Sequence, residues 1–227
     1  MRKYRAAIDM KAAKELCFDR KLTYDVLSEL FSKRPDEALL TKLNTEGLLA
    51  FLGEFCKCDE ATSKLKLAVE RLLSDKDRIK GLCQQFEEIF LIPGSNAYVP
   101  PVASAFMGPD MKNGFYGGLS EELTATYGAF GARFINDRED VFVFHPDHVA
   151  SLFSFMSFLI GKEQHYLERG ASDLLNDVVF REKSFFERFI RSWINDYLNE
   201  MHTKAAPEFY RLVAAFTQNY ISSECRF

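Results

Sequence analysis

The stretch Phe144 to Lys162, FHPDHVASLFSFMSFLIGK, decides how the rest of the chain is read. It opens on two histidines flanking an aspartate and then becomes almost wholly apolar. Pro146 suits the first turn of a helix, where its missing N–H is no loss. Asp147 suits the positive end of the helix dipole, either as the cap or just inside it. Beyond it Val149, Leu152, Phe153, Met156, Leu159 and Ile160 share one face, while Phe155 and Phe158 make the other side apolar too. A helix apolar nearly all round is a central, buried one. Ser151, Ser154 and Ser157 recur every third residue and would let neighbouring helices come close. The pattern predicts a buried helix that presents an Asp147–His148 pair at its exposed start.

Outward from this helix the spacing stays helical. Leu16, Leu22, Val26, Leu27, Leu30 and Phe31 mark a helix within residues 4–33, and RPDEALL restarts the pattern with Pro35 in a first-turn position. NTEGLLAFLGEFC, DEATSKLKLAVERLLSD (with Leu65, Leu67, Val69, Leu72 and Leu73) and DKDRIKGLCQQFEEIFL read as three more helices. LSEELTATYGAFGARF, a long amphipathic segment over 171–204 and a last helix starting at Pro207 complete the set. Only DVFVFH, 140–145, alternates like a strand, and no period of 20 to 50 residues repeats. The prediction is all-α, about nine or ten helices in a single domain over 1–227. Between Ile92 and Gly118 four prolines and five glycines fall in 27 residues. This long connection is either a functional segment or a passive linker between halves 1–91 and 119–227.

With 227 residues, 47% hydrophobic and 27% charged, the chain can bury a substantial core, and its 22 phenylalanines make that core aromatic. A net charge of −4 without a basic stripe argues against nucleic acid as partner. The five cysteines, Cys17, Cys56, Cys58, Cys83 and Cys225, are odd in number and irregularly spaced, which fits a reducing compartment. CKC at 56–58 lacks the second pair a zinc site needs. MRKYRAAIDMKAAKELCF has no apolar core of a signal peptide, and the run Val149–Ile160 is too short to span a bilayer. The expectation is a cytoplasmic protein without membrane insertion.

Three stretches carry candidate sites. HPDH sets His145 and His148 three apart, but a third metal ligand is missing, and His165 lies roughly 25 Å further along the helix. Serine catalysis finds no Gly-x-Ser-x-Gly elbow. FEEIFLIPGSNAYVPPVASAF, 86–106, ends a helix near Phe90, turns at Pro93-Gly94 and stiffens at Pro100-Pro101. It forms either a groove wall for a peptide or a packed crossover. SFFERFIRSWINDYLNEM, 184–201, carries Phe185, Phe189, Trp193 and Tyr197 at i, i+4, i+8 and i+12, which reads as core. No Walker loop, dinucleotide fingerprint or His-Glu-x-x-His occurs.

Taken in order, FEEIF…IPG…YVPPVASAF, PDHVASLFSFM and FFERFIRSWINDYL resemble the TorD/DmsD-type redox-enzyme maturation chaperones over roughly Phe86 to Leu198. The resemblance implies an all-helical cytoplasmic chaperone. Such a protein binds the twin-arginine signal peptide, or the immature catalytic subunit, of a molybdenum-cofactor reductase and delays export until the cofactor is in place. It places the peptide site at Asp147, His148, Pro100 and Pro101, with which Val99, Tyr98 and Phe90 are read. No catalytic residue, metal or cofactor of its own is expected. The family usually has an acid after VPP, where this chain has Ala103, and a Glu where it has Leu152; Glu87, Glu88 and Asp110 are other acids nearby in sequence. Two other readings stand beside it. One is an assembly factor for a subunit without a signal peptide, the other a metal-dependent hydrolase using His145, Asp147 and His148. The chain is expected as a monomer or, with the loop as hinge, a domain-swapped dimer.

Overall fold

The first run of helical spacing forms α1, Met10–Ser32, whose buried face carries Cys17, Tyr24, Leu27, Leu30 and Phe31. The structure is a computed structural model that describes residues 10–45, 48–49, 52–53, 59–107, 117–134, 143, 145–205 and 208–224. After α1 come α2 (Glu37–Asn44), α3 (Asp59–Leu73), α4 (Lys76–Phe90), a 3-10 turn at Ala103–Ala105, α5 (Gly117–Ala129) and α6 (Val149–Arg169). Then follow α7 (Ser172–Phe185), a π turn at Phe186–Arg191, α8 (Ile194–Lys204) and α9 (Glu208–Glu224). The described residues thus hold nine α-helices and no regular strand, and the fold is all-α as the spacing predicts. CKC, Cys225, Pro207, Asp110 and most of DVFVFH lie outside the described residues.

Helix α6 is the axis of the core: Val149, Phe153, Met156, Leu159 and Ile160 are fully buried. Helix α1 packs along it more extensively than any other pair of helices packs. Ser28 Oγ on α1 donates to the Ala150 carbonyl at 3.0 Å, and Ser157 Oγ on α6 donates to Asp25 Oδ1 at 2.5 Å. Gly161 adds room, since a Cβ there would sit 3.6 Å from the stem of Lys21. Of the three serines expected to admit neighbours, only Ser157 meets α1 in this way. Ser151 donates to the His145 carbonyl at 3.2 Å, and Ser154 is exposed.

The phenylalanine-rich composition appears as a ring lattice. Phe153 lies 5.9 Å from both Tyr24 and Phe31, Phe31 lies 6.1 Å from Tyr197, and Phe90 lies 5.4 Å from Tyr210. Tilted and edge-on pairs of this kind stabilise beyond simple burial. The rings come from α1, α4, α6, α8 and α9, so helices before and after the 92–118 connection share one core.

Three local expectations are corrected. Pro35 precedes α2 instead of opening it: Asp36 is the cap, and its Oδ1 accepts the Leu39 N–H at 2.7 Å, which satisfies a helix-end donor that proline cannot serve. Leu16 and Leu67 fall on outward faces, 48% and 52% exposed. The segment 171–204 is broken, not continuous. Phe185, Phe189, Trp193 and Tyr197 are buried as the i+4 stripe requires, but so are Phe186 and Ile190. A π turn adds a residue to one turn and re-registers the face. Trp193 then leaves helical geometry at φ −140°, its indole N–H donating to the Phe189 carbonyl at 2.7 Å.

Candidate functional site

Helix α4 ends at Phe90, and the chain folds back on it. Tight turns follow, with Ser95 N–H to the Ile92 carbonyl at 2.9 Å and Tyr98 N–H to the Ser95 carbonyl at 3.1 Å. Val99 N–H then reaches the Ile89 carbonyl at 2.9 Å, and Val99 is fully buried. Pro100 is half-buried and Pro101 buried. Both prolines fix φ and lack N–H donors, so the strip stays extended without leaving donors unpaired. It runs past the start of α6 and bonds to it. Val149 N–H donates to the Pro101 carbonyl at 2.8 Å, Ala103 N–H donates to the Asp147 carbonyl at 3.0 Å, and Val102 and His148 form an antiparallel bridge.

The cap of α6 is His148, not Asp147. Its Nδ1 accepts the Ala150 N–H at 3.1 Å, so the ring hydrogen resides on Nε2. Burial, and secondarily the charge of His145, push the His148 pKa down to about 3. The imidazole is therefore neutral and committed to the backbone. Asp147 points to the loop, where its Oδ2 accepts the Ser104 N–H at 3.0 Å. Its other oxygen, Oδ1, and the Ser104 hydroxyl are both buried without a hydrogen-bond partner. Tyr127 on α5 closes the junction, its hydroxyl donating to the Pro146 carbonyl at 2.7 Å. Burial first, and the Asp147 charge second, hold the Tyr127 pKa well above the ordinary phenol value.

The pair expected at an exposed helix end is therefore buried: Asp147 is 0% exposed and His148 3%. The correction has a plain cause, since the loop from Val99 to Met107 lies over the helix start. Phe106 anchors that loop from beyond, with its ring 5.7 Å from both Trp193 and Tyr197. Phe90 is buried among Phe31, Phe86 and Tyr210, and Tyr98 is half-buried. Ala103 and Leu152 are each 1% exposed, so an acid at either position would sit inside the core. Glu87 is engaged by Arg34 at 2.6 Å, and Glu88 accepts from Gln84.

A groove of about 430 Å³ opens beside this junction. Ala150 and Ser151 on α6, directly after the cap, form its near end, and none of the seven expected site residues lines it. Tyr127, Phe134, Phe155 and Phe158 supply aromatic walls, and Ser28 and Ser32 on α1 supply hydroxyls opposite. A second hollow, of about 550 Å³, continues along α1 and α6 and shares Ser154 and Phe158 with the first. One acid at the edge of each hollow is paired: Glu29 of the first with Lys42 at 2.8 Å, and Asp25 of the second with Lys21 at 2.7 Å. Such a channel suits an extended, mainly apolar segment whose backbone seeks hydroxyl partners. Sequence reasoning missed it because its walls come from three separate segments. The paired serines at Ser28 and Ser32, one turn apart on α1, are its one visible trace.

Among the described residues no three His, Cys, Asp or Glu side chains are grouped to hold a metal, and no helix is long and apolar enough to cross a membrane. The all-helical fold, with its VPP loop laced onto the start of a buried Asp-His helix, is that of a TorD-type redox-enzyme maturation chaperone, a class assigned by a family match. More particularly, the family model described as nitrate reductase delta subunit matches residues 39–199, and the chain belongs to that family of molybdoenzyme maturation chaperones. The match runs from within α2 to within α8, and so includes the loop and the central helix. No curated protein and no solved structure matched the chain significantly.

Proposed function

We propose that this protein is a cytoplasmic, non-catalytic chaperone that receives the twin-arginine signal peptide, or the immature body, of a molybdenum-cofactor reductase. It keeps that subunit from export until the cofactor is inserted. The observation that carries this reading is the aromatic- and serine-lined groove starting at Ala150, immediately after the Asp147–His148 junction. Its floor takes apolar side chains, and the hydroxyls of Ser28, Ser32 and Ser151, which donate to carbonyls of this chain, accept N–H groups of an extended segment. Asp147, His148, Pro101, Val99 and Phe90 act by holding the end of α6 and the loop in register. Pro100 and Tyr98 form the reachable edge of that loop.

The test uses Ser154→Trp. Ser154 is exposed and borders both hollows, so an indole there fills the groove without entering the core. Binding is measured by calorimetry to a synthetic twin-arginine signal peptide of a molybdoenzyme from the same host. A parallel titration uses the cofactor-free catalytic subunit lacking that peptide. A loss of at least about tenfold in affinity, roughly 1.4 kcal/mol, supports the groove as the receiving site; unchanged affinity for both probes removes it.

One observation favours the reading in which the client lacks a signal peptide. The two positions where related chaperones show acids are here buried Ala103 and Leu152, and the acids beside the groove are already paired with lysines. On that reading the catalytic subunit binds and the isolated peptide does not. The same two titrations separate the alternatives. No comparable observation favours the hydrolase, since His148 already spends its Nδ1 on the helix end.

A further inference from the structure

Arg20 on α1 is 4% exposed and shares its guanidinium among three helices. Nε meets Glu224 of α9 at 3.1 Å, Nη1 meets Glu163 of α6 at 2.9 Å, and Nη2 meets Glu182 of α7 at 3.0 Å. The Glu182 and Glu224 side chains are 3% and 4% exposed, and Glu163 is 15% exposed. Tyr220 adds a hydroxyl to Glu224 Oε1 at 2.7 Å. Three carboxylates around one guanidinium would leave an excess of two negative charges where water barely reaches. Such an arrangement is costly unless a proton remains bound.

We propose that this cluster is a proton-dependent latch. With one carboxyl protonated it fastens α1 to α6, α7 and α9, and release of that proton loosens α1. The consequence for client binding rests on the groove reading, because α1 supplies the Ser28–Ser32 wall. The latch itself does not rest on it. The proton's seat is Glu182. Burial above all pushes its pKa up to about 8, the charges of Glu163 and Glu224 act in the same direction, and Arg20 opposes them. The other groups facing the cluster stay silent across the neutral range. Cys17 is pushed up to about 12, chiefly by burial, and Tyr24 and Tyr220 well above the ordinary phenol value. Arg20 stays charged, since the attraction of the carboxylates outweighs its desolvation. Because the folded-state pKa of Glu182 lies above its unfolded value, the latch is at full strength below the unfolded value. It weakens as pH rises through about 8.

Hydrogen exchange of the α1 amides, read by mass spectrometry on the client-free protein and corrected for intrinsic rates, tests this at pH 6.5 and 8.5. Protection should fall about twentyfold between those pH values, the linkage expected for one carboxyl of this kind. In Glu182→Gln, whose amide fixes the neutral form, protection should hardly change. Equal protection of wild type at the two pH values overturns the latch, as does a variant that keeps the full wild-type dependence. Carbon-detected NMR titration of the wild-type glutamate carboxyls supplies the check if the variant folds poorly. A buried carboxyl titrating above pH 7 supports the latch, and ordinary carboxyl midpoints for Glu163, Glu182 and Glu224 alike overturn it. A client-binding defect at pH 6.5 in Ser154→Trp has no bearing on this outcome, so the two readings fail separately.

Discussion

Ser104 donates its backbone N–H to Asp147 Oδ2 at 3.0 Å, across 43 residues of chain. That bond joins a loop following α4 to the start of α6, and with the Ala103–Asp147 and Val149–Pro101 bonds it makes the two segments one unit. The Asp-His pair of this chain is therefore an internal fastening.

Asp147→Ala consequently tests stability before it tests recognition. The loss of a buried charge-assisted hydrogen bond costs about 1–3 kcal/mol, because the Ser104 amide is left without its acceptor. Urea denaturation reads this directly, and a change below about 0.5 kcal/mol would show the bond to be idle. Any fall in client affinity is then to be compared with that of Ser154→Trp, which leaves the core untouched.

His148→Asn separates capping from titration. Asparagine caps helices well and does not ionise in this range. The wild-type folded pKa of about 3 lies below the unfolded value of 6.5, so the unfolded chain takes up a proton that the folded chain refuses. Stability contributed by neutral His148 is thus present above pH 6.5 and lost as pH falls toward 3. The variant is expected to show a shallower decline between pH 6 and pH 4 in urea melts. Parallel curves for the two proteins would remove His148 from the acid response.

Much of this architecture is legible in the sequence, for physical reasons that differ by element. Helix α6 announces itself because a helix apolar all round has nowhere to lie but the centre. The ring lattice follows from twenty-two phenylalanines carried on helical spacing. The burial of Asp147 and His148 is not legible, since a cap reads alike whether water or a distant loop lies over it. Nor is the π turn at Phe186–Arg191. The spacing of Phe185, Phe189, Trp193 and Tyr197 satisfies an ordinary helix, and nothing in it announces the extra residue. The groove escapes notice because residues from α1, α5 and α6 meet only in three dimensions.

Two glycines give opposite expectations. Gly170 ends α6 at φ +63°, with open space where a Cβ would stand. Alanine there meets no neighbour, but it must adopt a left-handed backbone, so Gly170→Ala loses about 1 kcal/mol. Gly161 lies inside the helix, and its added Cβ would make an ordinary contact with Lys21 at 3.6 Å. Gly161→Ala gains up to about 1 kcal/mol from helix propensity. Thermal melts should move in opposite directions, and a shared direction would contradict the backbone argument.

Arg20→Gln removes the guanidinium from the buried cluster and leaves Glu163, Glu182 and Glu224 facing one another. Removing one partner of a buried ion pair typically costs about 3–5 kcal/mol, because the remaining charge stays desolvated. Here the penalty depends on pH. At pH 8 the carboxyls can relieve the repulsion only by taking protons from a solution that offers few, so the full loss is expected. At pH 5 the folded variant takes up protons readily, and the loss should shrink by about 1 kcal/mol or more. Urea denaturation of variant and wild type at both pH values measures the difference. Equal losses at the two values would mean that the folded variant takes up no more protons than wild type does once Arg20 is gone.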